Sequence, residues 1–189
     1  NTTGDSSTAV GKDSMKTNTT GRFNSSLGYE SLALNTTGAN LTALGKAALY
    51  NNTTGSSNTA VGMNAGSAIT TGYENVCLGY AAGDAIVSGN NNVIVGISVD
   101  PSSESVTNGI ALGSGFTVNS NDFSFGKAAN VVTNDFNADA DWSRSSDVRL
   151  KKNIADQTLG LDFINALRTV KYNWKASGDL DASDAQLAH

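Results

Sequence analysis

Cysteine, proline and histidine occur once each in this chain of 189 residues, as Cys77, Pro101 and His189. One cysteine excludes a disulfide framework within the chain and leaves the redox compartment unassigned. One terminal histidine, with no His/Cys/Asp cluster at ligand spacing, gives no reason to expect a metal site. Long apolar runs are also missing. None approaches the ~20 residues that a bilayer-spanning helix needs, so no membrane insertion is expected. The net charge is −5 and no basic patch is interleaved with aromatics, which argues against nucleic acid as a partner. The glycines never spell a phosphate loop ending in Gly-Lys-Ser/Thr, and no cofactor is expected. The chain opens on Asn1 without a charged-then-apolar leader and is read as a piece of a longer protein.

Charge is unevenly spread. Residues 1–138 hold 14 Asp, Glu, Lys and Arg, whereas residues 139–189 hold 15. The first part is rich in Asn, Thr, Ser, Gly and Ala instead, and such a shift marks a boundary between two kinds of structure.

A repeat explains the first part. Gly4, Gly21, Gly38, Gly55, Gly72 and Gly89 are spaced by 17 residues, and so are Gly11, Gly28, Gly45, Gly62, Gly79, Gly96 and Gly113. Together they account for 13 of the 20 glycines, too regular for a disordered linker. Before the second series stand Val10, Leu27, Leu44, Val61, Leu78, Val95 and Leu112. Before those stand Ala9, Ser26, Ala43, Ala60, Cys77, Ile94 and Ala111. Each repeat thus offers one short β-compatible segment between glycines that suit tight corners or close backbone approach. A single coil of this kind has no core, but stacked coils do. The expectation is a mainly β, parallel β-roll or β-solenoid of 17-residue coils, with the Leu/Val series as its buried apolar column. Ser31–Leu34 and Ala47–Tyr50 are expected to add brief helical turns. From Ile69 the spelling NTTG changes to ITTG, which reads as the same path with a changed surface. Cys77, where other coils carry Ala or Ser, reads as a buried small residue.

The phrases NTAVG, NSSLG, NVCLG, NVIVG and NGIALG resemble the head repeats of trimeric autotransporter adhesins, and the related repeats of bacteriophage tail fibres, over roughly residues 1–130. The resemblance implies a left-handed parallel β-roll in which three chains pack around a common axis. Past the lattice, FTVNSNDFSFG keeps alternating apolar residues at Phe116, Val118, Phe123 and Phe125 and reads as further β structure. The acidic stretch NDFNADADW at 134–142 lacks the Gly and distal Glu of a calcium loop and reads as a turn or neck.

From Ser145 onward, Leu159, Leu161, Phe163, Ile164 and Leu167 fit a short amphipathic helix. Val170, Tyr172 and Trp174 then alternate with Lys171, Asn173 and Lys175, as in a strand with one buried face. This small α+β segment is too short to be a stable domain alone. The words SDVRLKKNI, followed by that helix and by VKYNW, resemble the opening of the endosialidase-type intramolecular chaperone of phage fibres and spikes. The division that follows is 1–113 glycine-lattice repeats, 114–145 a β or neck region, and 146–189 the start of a chaperone and auto-processing domain.

That resemblance implies a C-terminal part that trimerises, registers fibre chains and cuts itself once at the Ser146–Asp147 bond. Ser146 would be the nucleophile and Lys151 its base. A serine hydroxyl needs an adjacent base, and lysine serves only when desolvation or neighbouring cations, here Arg149 and Lys152, lower its pKa. Residues five apart do not face each other on a strand or a helix. Either a turn at Asp147–Arg149 folds Lys151 back, or the lysine comes from a neighbouring chain. Without the resemblance, Ser146 reads as a cap or turn residue and Lys151 as a solvated cation. Asn1, Asn18, Asn24, Asn35, Asn40, Asn51 and Asn52 open Asn-x-Ser/Thr sequons and are read as turn residues rather than glycosylation sites.

The functional expectation is a virion-borne, extracellular homotrimeric tail fibre or spike contributing to host attachment, with other tail proteins and a host surface receptor (a glycan or outer-membrane component) as partners. One alternative is a bacterial surface adhesin, although that class ends in a membrane-anchoring barrel rather than this tail. The other is a polysaccharide-degrading spike, for which no pair of carboxylates at working distance is evident.

Overall fold

A computed structural model describes residues 4–138. The tail, with its expected helix at Leu159–Leu167 and strand at Val170–Trp174, lies outside the described residues. Each repeat does form a short strand at the expected place. These are β1 (Thr8–Val10), β2 (Ser25–Leu27), β3 (Thr42–Leu44), β4 (Thr59–Val61) and β5 (Val76–Leu78). They are followed by β6 (Val93–Ile97), β7 (Asp100–Pro101), β8 (Ile110–Ser114), β9 (Thr117–Val118), β10 (Asp122–Lys127) and β11 (Asn130–Asp135).

Nine of them make one sheet in the order β1-β2-β3-β4-β5-β6-β8-β10-β11, and β7 pairs with β9 in a second. From β1 to β10 the long sheet is parallel, and residues of one repeat pair with their counterparts in the next, as in Thr42↔Thr59 and Leu44↔Val61. The final coil is shorter: Leu112 of β8 pairs with Phe125 of β10. β11 then folds back antiparallel on β10 and ends the stack.

The rest of each coil bonds to its neighbour as the strands do. Leu32 N–H donates to the Ala48 carbonyl at 3.0 Å, Leu49 N–H to Ala65 at 3.0 Å, and Thr36 N–H to Thr53 at 2.9 Å. This explains why the expected helical turns at Ser31–Leu34 and Ala47–Tyr50 do not form, and no helix occurs among the described residues. An α-helix would direct those amides back along the chain. Here they reach the next coil, and the backbone turns instead through left-handed residues such as Ala47 (φ 54°) and Leu49 (φ 50°). Gly45 shows why the lattice demands glycine. Its φ is 134°, and a Cβ there would collide with the Gly62 carbonyl of the next coil.

The inside and the outside of the strands are the reverse of the sequence expectation. The Leu/Val series is not the buried column: Val10 is 52% exposed, Leu27 49% and Leu44 42%. The middle residue of each triplet points inward instead, and Ala60, Cys77, Ile94 and Ala111 are fully buried. The cause is steric. The opposite arc of the coil already fills the interior with Met15, Leu32, Leu49, Ile69 and Ile86. Ser26, Ala43 and Ala60 are the small residues that fit across from them, the larger Cys77 and Ile94 enter beside Gly66 and Gly83, and the strand period of two turns both flanking residues outward. The change from Asn to Ile at position 69 likewise alters the core and not the surface, since Ile69 and Ile86 are fully buried.

A column of asparagines runs through the same core. Asn35 Nδ2 donates to Asn18 Oδ1 at 2.7 Å and to the Gly38 carbonyl at 3.1 Å. Asn52 repeats the pattern one coil on, to Asn35 Oδ1 at 2.9 Å and Gly55 at 3.0 Å. A second run continues it, with Asn75 bonded to Asn58 at 3.1 Å and Asn92 to Asn75 at 2.9 Å. Four of the sequon asparagines, Asn18, Asn24, Asn35 and Asn52, are therefore core residues rather than surface turns. Their amides bond carbonyls turned into the interior, which keeps buried backbone groups satisfied.

Candidate functional site

The surface feature that stands out is the outward face of the parallel sheet, the same face that carries the misread Leu/Val series. Registered pairing puts Val10, Leu27 and Leu44 in line. The line continues through Val61, Leu78 and Val95. It ends at Leu112, Phe125 and, across the antiparallel pair, Val132. Leu112 and Phe125 are each 39% exposed and Val132 55%. With adjacent strands ~4.8 Å apart, the line is about 35 Å long from Val10 to Phe125.

A second outward line lies two residues earlier on each strand. It changes character along the molecule: Thr8, Ser25, Thr42 and Thr59 at the first four strands, then Val76, Val93, Ile110 and Phe123. The face is therefore half hydroxyl and half aliphatic at the N-terminal end, and apolar across both lines at the C-terminal end. Phe123 and Phe125 add an aromatic rung, their ring centroids 5.8 Å apart. No Asp, Glu, Lys or Arg occurs within β1 to β6 or β8.

Two titratable groups mark the opposite kind of environment. Cys77 is buried, as expected, and burial pushes its thiol up to about 12, so it is an unreactive core residue. Half-buried Asp100 faces Asp84. Burial, and then the Asp84 charge and hydrogen bond, raise Asp100 to about 6, against the lowering effect of the Ala85 N–H at 3.3 Å.

The residues that the sequence marked for chemistry, Ser146, Asp147 and Lys151, lie outside the described residues. What sequence reasoning missed are the outward apolar face and the asparagine column. The signal for the first was the strict alternation within each triplet, and for the second the recurrence of Asn three residues from a lattice Gly.

A β-solenoid whose repeats are stacked in one continuous sheet defines an elongating, structural kind of protein. Residues 146–187 match the family described as the chaperone of endosialidase. A solenoid joined to that match fits a structural protein of the tail-fibre or spike type. No curated protein and no solved structure matches the chain.

Proposed function

We propose that the chain is a subunit of a homotrimeric bacteriophage tail fibre or spike, exposed on the virion and contributing to attachment to a host surface component. The observation that supports this reading is the order of its parts: a parallel solenoid followed by the chaperone-of-endosialidase match at 146–187. A stack of near-identical coils is prone to slippage between copies, because a shift by one whole repeat preserves most contacts. Long-range β assembly is also slow and open to aggregation. A C-terminal segment that holds several chains in register removes the degeneracy. In this reading it then cuts itself off at Ser146–Asp147, with Ser146 as nucleophile and Lys151 as base.

Light scattering tests the assembly: the expected mass is three times that of the chain, which is 19.4 kDa before the cut, and a monomeric mass overturns the reading. A gel of the protein beside its Ser146→Ala and Lys151→Ala variants tests the cut. Release of a C-terminal fragment from the parent and from neither variant supports the dyad. Equal processing of all three rules it out.

A further inference from the structure

We infer that copies of this chain associate through the outward face of the parallel sheet, side by side in parallel and in register, with the C-terminal strands as the tightest part of the contact. The inference rests on the assembly proposed above and adds the face, the direction and the register.

A second copy is the occupant that this face fits. The apolar line repeats at the strand spacing over eight parallel strands, so a matching surface must carry the same period, and another copy does. No charged residue lies in β1 to β6 or β8, so chains of net charge −5 meet along those strands without like charges in contact. At about 35 Å by ~10 Å the apolar strip covers on the order of 350 Å², under half of the ~800 Å² per partner of a stable pairwise interface. The strip alone is therefore too small to hold two chains, which suits several chains sharing one axis and gives a registering segment something to do.

Direction follows from the second outward line. In a parallel arrangement Val76, Val93, Ile110 and Phe123 meet their own counterparts, and the Thr/Ser end meets the Thr/Ser end. An antiparallel arrangement sets Thr8 and Ser25 against Phe123 and Ile110 and leaves hydroxyls against apolar groups. Register follows from the last rung. Phe123 and Phe125 occur on one strand only, in the shortened coil, so a shift by one coil leaves their rings unmatched.

Cysteine cross-linking of the full chain tests this, in a Cys77→Ala background because Ala holds that core position in other coils. Leu27→Cys and Leu112→Cys should each give a disulfide-linked pair with at least ten times the yield of Thr37→Cys, an exposed residue away from the strands. Co-expressed Leu27→Cys and Leu112→Cys chains should link only like with like. Links between residues 27 and 112 would overturn the parallel arrangement. A trimeric mass with strong linking at Thr37→Cys and none at the other two would overturn the face while leaving the assembly standing. A monomeric mass would remove both. Leu78→Asp provides an independent readout, with the far-ultraviolet spectrum unchanged and the assembly dissociated. An assembly unchanged by that charge would overturn the face even without cross-links.

Discussion

Two kinds of coil fill the same cross-section differently. In the first three, a large aliphatic residue is followed three positions later by asparagine: Met15 and Asn18, Leu32 and Asn35, Leu49 and Asn52. In the next two the pair becomes Gly66 with Ile69 and Gly83 with Ile86. A Cβ on Gly66 would lie 3.0 Å from Ile69 Cδ1 and 3.1 Å from Leu49 Cδ2. The space that leucine fills in one coil is thus occupied from the other side by isoleucine in the next. The polar column moves as well: Asn58 Nδ2 reaches Asn52 Oδ1 at a long 3.5 Å, and the run continues through Asn75 and Asn92. What the coils hold constant is total volume and satisfied carbonyls, not the residue at each position.

The sharpest way to break that comparison is Asn35→Asp. At neutral pH it places a carboxylate beside the Asn18 Oδ1 and Gly38 carbonyl acceptors that Asn35 now serves, with no donor left to offer. The expected loss is about 3–5 kcal/mol, the scale of an uncompensated buried charge, read as a lowered urea midpoint. An unchanged midpoint would mean that the asparagine column contributes no stability.

The volume trade is tested by converting one kind of coil into the other. Asn52→Ile alone crowds Leu49 and leaves Asn35 Oδ1 without its donor, a loss of about 2–4 kcal/mol. Adding Leu49→Gly reproduces the Gly66–Ile69 pair and relieves the crowding, at a backbone site (φ 50°) that glycine adopts freely. The double variant should recover about 1–2 kcal/mol relative to the sum of the two singles. Strict additivity would show that the two positions do not share space.

The period was legible because glycine at a crowded corner has no substitute. The 17-residue lattice placed every strand from β1 to β6, and β8, where the structure has them. Inside and outside were not legible, because Val or Leu next to Gly is the most apolar residue of its triplet, and nothing local says that the opposite arc has already filled the core. Ala43 is buried and Leu44 is not for a reason that lies with Leu32 and Leu49, residues on the far side of the coil. The sequons misled in the same way. Asn-Thr reads as a turn until the inward carbonyls of Gly38 and Gly55 show what the amide is for. Alternation at Phe116, Val118, Phe123 and Phe125 did carry over, with the first pair buried and the second turned outward onto the sheet face.

The coil that follows the two Gly–Ile coils carries a group whose titration should be visible. Asp100 is raised to about 6 by burial and by Asp84. A carboxyl whose folded pKa lies above its unfolded value of ~3.9 contributes full stability below that value and loses it as pH rises through about 6. The thermal midpoint should therefore fall between pH 4 and pH 7. Asp100→Asn should flatten that slope and stabilise by about 1 kcal/mol at pH 7, a figure reduced for partial exposure. A slope unchanged in the variant would place the titration elsewhere.

The smallest effect is expected at the corner, where the two kinds of coil do not differ. Ser6, Phe23, Asn40, Ser57, Glu74, Asn91, Asn108 and Asn121 all hold φ between 53° and 61° there. Left-handed backbone strains most side chains, and asparagine tolerates it because its short amide can bond locally. Phe23 is the residue least suited to the site, and its ring recovers little by burial, being 58% exposed. Its N–H bond to the Asp5 carbonyl at 3.3 Å belongs to the backbone and survives any substitution that keeps the angle. Phe23→Asn should therefore raise stability by about 0.5–1 kcal/mol, seen as a thermal midpoint a few degrees higher. If the midpoint falls instead, the ring has a packing role that outweighs the strain of its backbone, and this coil is a third kind.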